Sequence, residues 1–332
     1  MALTENAIRP QNLLEGLAAE VDADRQWLLA RQDQFVGVTC PVCRHAGIPE
    51  FTKLEFHYEL CPQCRTVFMN PRPAEKLLHE FYAQSRTYAY WNQHIFPASE
   101  AARRTSIFVP RAERVLEFCQ RFGIRRGTLL EIGAGFGTFC EEIQSREVFE
   151  RIIALEMTPA LAASCASRGL EVIQEPIETL QLPAGSIDVI AAFETLEHLF
   201  SPRKFLLTIH QLLAPQGLVV ITCPSIDGFD VVTLQTHSDT IDHEHVNYLN
   251  PVSLRQLATE CGFKVLEIVT PGRLDADIVR NKVLAGVINL DGQPWLQRVL
   301  IDRWETLGQP FQEFLAANNL STHMWMVATK QP

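Results

Sequence analysis

The feature that most constrains the fold is an alternation of short apolar runs with helical patterns between residues 127 and 270. The runs are four to seven residues long and start with Thr128–Ile132 and Arg151–Glu156. Strands that alternate with helices build a parallel sheet with helices on both faces. Right-handed crossovers make the doubly wound arrangement the expected one. We therefore predict an α/β fold with a doubly wound, Rossmann-like sheet.

Changes in residue composition and hydrophobic pattern divide the chain into four segments. We predict an N-terminal helical segment (1–38), a compact cysteine-containing block (39–73), a helical lid or linker (74–126) and the α/β domain (127–332). Within that domain, residues from about 273 to 319 read as a helical insertion before a last strand. The apolar run Thr322–Thr329 is typical of a strand at the edge of a sheet.

The composition favours a soluble globular protein. A net charge of −10 and a pI near 5.5 argue against a protein that depends on contacts with nucleic-acid phosphates. No apolar run reaches the roughly 18 residues of a membrane span, and acidic residues throughout Met1–Arg31 disfavour a signal peptide. We expect a cytoplasmic location, no membrane partner and cysteines that are not disulfide-bonded. The composition gives no indication of oligomeric state.

A glycine-rich loop follows the first strand of the α/β domain. Glu131, Gly133, Gly135 and Gly137 form the pattern E-x-G-x-G-x-G between the strand and the next helix. Glycines permit positive φ and a close approach of ligand to backbone. A dinucleotide fingerprint requires its third glycine at the position of Thr138, so that alternative does not fit.

This loop resembles motif I of the class I S-adenosylmethionine (SAM)-dependent methyltransferases, and the resemblance extends over residues 127–270. It implies a seven-stranded methyltransferase sheet with SAM as cofactor. Glu156, 19 positions after Gly137, would accept hydrogen bonds from the ribose hydroxyls, and Phe193 begins a later family motif. Where the family usually has an acid that pairs with adenine, this chain has Pro176. Adenine recognition would then fall to Glu175 or to the backbone of Ile177.

Two C-x-x-C pairs lie in the block before this domain. The pairs are Cys40/Cys43 and Cys61/Cys64, with 17 residues between them. This spacing is typical of a zinc ribbon, in which two turns complete a tetrahedral set of four thiolates. A redox C-x-x-C would instead follow a strand and open a helix. We expect a structural Zn²⁺, because four protein ligands leave no open position for catalysis.

A polar segment after the fifth strand, Asp239–Tyr248, contains His243, Glu244 and His245. Ligands of doubly wound sheets bind beyond the carboxyl ends of the strands, so this segment is expected near the transferred methyl group. A weakly nucleophilic acceptor needs a base, and histidine is suited to that role at neutral pH. The alternative is that His243 and His245 are hydrogen-bonded structural histidines.

Together with the cysteine pairs, the H-E-H-x-x-Y segment resembles the sugar C-methyltransferases that act on nucleotide-linked keto-sugars. The resemblance implies His245 as general base, Glu244 as its orienting partner and His198 as a group that stabilises a developing enolate. Substrate contacts would come from the candidates Tyr88, Tyr90 and Tyr248. Two features depart from that family. Asp242 replaces a frequent tyrosine, and after the SAM domain we expect only helices and a strand rather than a second nucleotide-binding domain.

Three functions are compatible with these patterns. The first is methyl transfer from SAM to a small molecule, such as a carbon or hydroxyl of a sugar or nucleotide-sugar. The second is ribosomal RNA methylation, because some RNA methyltransferases also carry a zinc module, although the acidic balance speaks against it. The third is a SAM-binding regulatory or assembly protein without its own chemistry. For His198, the alternative role is structural support of the loop after the fourth strand.

Overall fold

The computed structural model describes residues 5–331. The predicted terminal segments also include residues 1–4 and 332, which lie outside the described residues. The strands in chain order are β1 (Phe35–Val36), β2 (Ile48–Lys53), β3 (Phe56–Leu60), β4 (Val67–Met69), β5 (Arg72–Pro73), β6 (Thr128–Ile132), β7 (Arg151–Leu155), β8 (Glu171–Ile173), β9 (Ile187–Phe193), β10 (Leu213–Pro224), β11 (Asn247–Tyr248), β12 (Phe263–Val269) and β13 (His323–Lys330).

The described residues also form α-helices before and between these strands. They are α1 (Glu5–Ile8), α2 (Gln11–Leu29), α3 (Glu75–Gln84), α4 (Arg86–Tyr90), α5 (Phe96–Arg103), α6 (Val109–Arg121), α7 (Thr138–Gln144), α8 (Pro159–Ser167), α9 (Pro202–Leu212), α10 (Phe229–Leu234), α11 (Pro251–Glu260), α12 (Asp275–Leu284), α13 (Pro294–Gln297) and α14 (Trp304–Ala317). Within the described range 5–331, no helix is both long enough and apolar enough to cross a membrane.

The central sheet confirms the predicted doubly wound α/β fold. Its seven strands have the order β12-β13-β10-β9-β6-β7-β8, and β6 to β10 pair in parallel. The chain order reverses between β6 and β9, and this reversal is where ligands of such sheets bind. The prediction of an edge position for the last strand is wrong. β13 lies antiparallel between β10 and β12, because its run from Met324 to Ala328 is buried on both faces.

Neighbouring residues of the central strands point to opposite sides of the sheet. Leu129 of β6 and Val189 of β9 pack in the apolar cluster with α6 and α7. Leu130 and Ile190, the next residues along, pack in the cluster with α9 and α11. Because both faces are covered, the strands are apolar throughout rather than alternating.

The cysteine-containing block folds as a small antiparallel sheet that joins the main domain. Its order is β11-β4-β3-β2, so three strands come from the block and one comes from the segment after His245. Phe68 of β4 pairs with Asn247, and Val67 pairs with Tyr248. The segment that carries the histidines is therefore held by the cysteine block as well as by the main domain.

Helices lie before and inside the α/β domain. The helices α3 to α6 connect the cysteine block to β6, in the stretch for which a lid or linker is predicted. Between β12 and β13, helices α12 to α14 pack with α10 in a separate apolar cluster. This stretch occupies the place of the predicted helical insertion.

Candidate active site

A cleft opens at the carboxyl ends of β6 and β7. Gly133, Gly135 and Glu156 lie on one wall, and residues of α3 lie on the other. Gly135 has a φ of +56°, and a Cβ built on it meets no other atom within 4 Å. The backbone is therefore open to a ligand at this position. Gly137 has a φ of +74° and packs against the core instead, since its Cβ would lie 2.7 Å from Leu170 Cδ1.

Glu156 is anchored at the mouth of the cleft. One carboxylate oxygen accepts a hydrogen bond from Gly135 N at 2.8 Å, and the other accepts one from Thr158 N at 2.8 Å. Burial raises the pKa of Glu156, and these backbone donors oppose that shift. Each oxygen retains a lone pair for a further donor, as a ribose diol requires. The candidates for the adenine side, Glu175 and Ile177, line the same cleft.

Two predicted cofactor residues turn away from the cleft. The Glu131 carboxylate accepts a hydrogen bond from Cys140 Sγ at 3.0 Å, and burial raises its pKa to about 8. The Phe193 ring packs against Phe139 and Trp325 at centroid distances of 4.8 Å and 5.9 Å. Neither side chain lines the cleft, so any contribution to cofactor binding would be through the backbone or through support of the loop.

His198 reaches the cleft from the loop after β9. Its Nδ1 lies 3.0 Å from the Tyr82 hydroxyl of α3. Burial, reinforced by the neighbouring His245, lowers the pKa of His198 to about 3. The imidazole is therefore neutral at physiological pH. Beside it, the Glu197 carboxyl is buried and has no hydrogen-bond partner, and burial raises its pKa well above the usual range.

His245 stands next to His198, with 4.6 Å between ring centroids. Its Nδ1 lies 2.7 Å from the carbonyl oxygen of Thr240. A carbonyl only accepts hydrogen bonds, so Nδ1 must carry the hydrogen and Nε2 of the neutral ring carries the lone pair. Asp242 fixes the backbone, because its Oδ1 accepts from the N–H groups of Glu244 and His245, each at 2.8 Å. The lone pair of the neutral ring therefore lies on Nε2, and His245 itself stands behind His198 rather than in the lining of the cleft.

Glu244 points toward α4, where the Tyr88 hydroxyl donates to it. Tyr88 lines the cleft, which places Glu244 behind the wall of the site. Burial and the neighbouring charge of Asp242 raise the pKa of Glu244 to about 8. Burial also acts on Asp242, but the flanking histidines and backbone donors hold its pKa below the usual value. At neutral pH the segment therefore combines an anionic Asp242 with a protonated Glu244.

The remaining candidates lie away from the cleft. His243 is 1% exposed between Phe56 and Phe81, and neither ring nitrogen has a hydrogen-bond partner among residues 5–331. Tyr248 is fully buried, and its hydroxyl accepts from Asp242 N at 3.1 Å. The Tyr90 hydroxyl donates to the Leu13 carbonyl at 3.1 Å. The packing of His243 and the hydrogen bonds of Tyr248 and Tyr90 therefore support the fold.

The raised pKa of Glu244 predicts a pH-dependent effect of Glu244→Gln on stability. A carboxyl whose folded pKa exceeds its unfolded value near 4.3 binds its proton more tightly in the folded state, so its contribution to stability falls as pH rises toward 8. Glutamine removes this penalty. We expect thermal melts to place the variant roughly 4 °C above wild type at pH 9, with a smaller difference at pH 5.

The matched control for this prediction is Glu113→Gln, at an exposed position on α6. It should melt with wild type at both pH values. An offset between Glu244→Gln and wild type that stays the same at pH 5 and pH 9 would contradict the proposed protonation of Glu244.

The four paired cysteines converge at one point of the cysteine block. Cys40 and Cys64 Sγ atoms are 3.5 Å apart, Cys43 and Cys61 Sγ atoms are 3.3 Å apart, and all four lie within 4.8 Å of one another. Each C-x-x-C turn ends in an arginine with positive φ, Arg44 or Arg65. Thiolates at about 2.3 Å from one ion have similar mutual separations. The set fits a tetrahedral four-thiolate zinc site.

Three groups of the site were not predicted from the sequence. Tyr82 joins His198 to the histidine segment, since its hydroxyl oxygen lies 3.0 Å from His198 Nδ1 and 3.4 Å from the Glu244 carbonyl oxygen. Glu194 and Thr195 line the cleft directly after β9. Tyr82 lies at the start of the aromatic-rich stretch 81–96, but spacing alone does not separate it from Tyr88 and Tyr90. Glu194 adjoins Phe193, so its position at a strand end was the available signal.

Comparison with known proteins identifies the α/β domain. Residues 105–268 match a protein family described as a methyltransferase domain. A probable S-adenosylmethionine-dependent methyltransferase of Mycolicibacterium smegmatis is 28% identical over 187 residues, which are 52% of this chain and 69% of the relative. The family match over residues 105–268 covers the glycine loop and the strands β6 to β10.

Two further relatives carry names that specify the methylated atom. A ubiquinone biosynthesis O-methyltransferase of Caulobacter sp. is 37% identical over 99 residues, 28% of this chain and 39% of the relative. The C-methyltransferase NovU of Streptomyces niveus is 26% identical over 170 residues, 49% of this chain and 39% of the relative. The chain thus spans well under two thirds of the length of both. The domain match and the fold agree: the chain contains a methyltransferase domain, and it is similar to proteins named as SAM-dependent methyltransferases.

Proposed function

We propose that this protein transfers a methyl group from SAM to a carbon or hydroxyl of a small polyhydroxylated acceptor, such as a keto-sugar, with His245 as general base. The observation that carries the proposal is the hydrogen bond from His245 Nδ1 to the Thr240 carbonyl beside the cleft. It leaves Nε2 as the basic nitrogen. Relatives named as C- and O-methyltransferases are both consistent with an acceptor that must lose a proton.

The cleft holds the groups that each partner of the reaction needs. The glycine loop and Glu156 suit the nucleoside of SAM, and the lid helices supply polar groups for an acceptor. The acceptor side includes His79, Tyr82, Tyr88 and His198. Hydroxyl and imidazole groups along an apolar wall suit a ligand with several hydroxyls. A keto-sugar therefore fits this side better than an extended anion.

In the proposed reaction, His245 Nε2 takes a proton from the acceptor carbon or hydroxyl. The freed electron pair forms the new bond to the methyl carbon in an in-line displacement, and the sulfur keeps the pair of the broken bond. SAM supplies a methyl group made electrophilic by its sulfonium. His198 is neutral, and when the Tyr82 hydroxyl donates to its Nδ1 the single N–H lies on Nε2, which can donate to the oxyanion of an enolate. The proton on His245 then passes to solvent, which restores the base.

We also propose that the four paired cysteines bind one structural Zn²⁺. Their sulfurs are close enough for a single tetrahedral ion, and no open coordination position remains for chemistry. The ion would hold the two turns together and thereby the sheet to which β11 belongs. Without it, four thiols would be packed against one another at 3.3–3.5 Å in a largely buried site.

The zinc proposal predicts about one equivalent of zinc per purified chain. Cys61→Ser should reduce that content to below roughly 0.2 equivalents, because three ligands bind far more weakly than four. Cys119→Ala is the matched control, since Cys119 is a buried cysteine in the cluster with α6 and α7. Elemental analysis would show equal zinc in this control and wild type. About two equivalents per chain would instead indicate a second ion, for which Glu197, His198 and His245 have ligand atoms within 4.8 Å.

A methyl-transfer screen tests the proposed function. The full chain is incubated with SAM and a panel of nucleotide-linked keto-sugars, hydroxylated small molecules and RNA. We expect S-adenosylhomocysteine (SAH) release only with small hydroxylated or keto acceptors, together with a mass gain of about 14 Da on the acceptor. Methylation confined to RNA, with affinity that falls steeply with salt, would overturn the proposal. Binding of SAM without turnover across the panel would favour a regulatory role.

A further inference from the structure

A buried arginine connects the cysteine block to both loops that carry the proposed catalytic histidines. Arg72, in β5 just after the second cysteine pair, is 1% exposed. Its Nη1 donates to the Phe200 carbonyl at 3.2 Å and to Asn247 Oδ1 at 2.9 Å. Phe200 lies two residues after His198, and Asn247 lies two residues after His245. One guanidinium group thus contacts both loops.

Asn247 extends this connection. Its side-chain amide is fully buried and donates to the Leu199 carbonyl at 2.7 Å. Arg72 Nε donates to the Met69 carbonyl at 3.2 Å, which closes the contact back to β4 of the cysteine block. The β4 strand in turn pairs with β11. The loops are therefore joined to the block by a backbone ladder and by one side-chain centre.

The charge of Arg72 lacks a conventional partner. Among residues 5–331 it forms no ion pair with an Asp or Glu, and its Nη2 has no hydrogen-bond partner. A buried cation without a counterion is costly. Burial lowers the pKa of Arg72 to about 9, so the guanidinium still carries its charge at neutral pH.

We propose that Arg72 is a positioning residue: its planar fork holds the His198 and His245 loops against the cysteine block and so transmits the order of the zinc centre to them. This proposal rests on the zinc site proposed above. It does not depend on the acceptor, because the loops can be observed without turnover. Lysine tests the fork itself, since lysine keeps the charge of arginine but not its fork.

Arg72→Lys and Arg72→Met both remove the fork, and both are measured in the full zinc-loaded chain. In both variants we expect amide hydrogen exchange of residues 196–200 and 240–248 to rise by about tenfold. Zinc affinity, measured by chelator competition, should stay within about threefold of wild type in both. Residues 128–144 and the affinity for SAH should stay close to wild type in both variants.

Arg203→Met is the matched control, because Arg203 donates to the Val42 carbonyl of the cysteine block but contacts neither histidine loop. Its loop exchange should match wild type. Zinc removal from wild type should reproduce the loop exchange of Arg72→Met. The proposal is overturned if zinc removal leaves the exchange of residues 240–248 unchanged, or if Arg72→Lys exchanges at these residues as wild type does. Loss of SAH binding in Arg72→Lys would also overturn it, since that result indicates general unfolding.

Discussion

Replacing His245 with alanine is expected to reduce methyl transfer by about 10²- to 10⁴-fold while SAH affinity stays within about twofold of wild type. The reduction follows from the loss of a basic nitrogen that a backbone carbonyl fixes beside His198 at the cleft. SAH affinity should persist because the glycine loop and Glu156 lie on the other wall. The measurement is SAH formation with an acceptor from the screen, paired with calorimetric titration of SAH.

His210→Gln is the matched histidine control for this experiment. His210 lies on α9, where its ring packs against Phe263 away from the cleft. Its turnover should equal that of wild type. Turnover of His245→Ala within about tenfold of wild type would rule out His245 as the base. In that case His198, whose Nδ1 is held by Tyr82, would be the next group to test.

Replacing Gly135 with valine is expected to weaken SAM binding by at least about 100-fold, which corresponds to roughly 2.7 kcal/mol. A Cβ at Gly135 meets no protein atom within 4 Å, so the added side chain would project into space that the cofactor needs. The φ of +56° adds backbone strain of about 1–2 kcal/mol, because valine is disfavoured in the left-handed region. Titration with SAM measures the first effect, and thermal melting measures the second.

Gly286→Val is the control that separates the effect of backbone strain from the effect of blocking the cofactor site. Gly286 has a φ of +71° and also has no neighbour within 4 Å of a built Cβ, but it lies among the C-terminal helices. It should lose similar stability and keep wild-type SAM affinity. Equal SAM affinity in both variants would show that Gly135 does not face the cofactor.

Much of the fold follows from local patterns in the sequence. The alternation from Thr128 to Thr270 predicts the parallel sheet, because continuous apolar runs are stable only when both faces are covered. The position of β13 was not predictable in the same way. An apolar strand such as Met324–Ala328 pairs equally well at an edge or inside, and its place between β10 and β12 depends on contacts distant in sequence.

The candidate site was likewise predictable only where a local sequence pattern determines the structure. Cysteine spacing predicts the convergence of four sulfurs, because each C-x-x-C turn is a local structure. The different positions of His243 and His245 were not predictable from the sequence. The His243 ring packs between Phe56 and Phe81, which belong to other segments of the chain. The roles of Tyr82 and Arg72 were not predictable from the sequence for the same reason. Their roles come from partners more than 100 residues away in the chain.

A crystal structure of the full chain with SAH bound tests the central claim most directly. The account predicts that the ribose hydroxyls contact Glu156 and that the thioether sulfur points toward the His198–His245 pair. The distance from the sulfur to His245 Nε2 should then leave space for one acceptor atom, roughly 6 Å. SAH bound with its sulfur directed away from both histidines, or bound outside the cleft formed by Gly135 and Glu156, would contradict it.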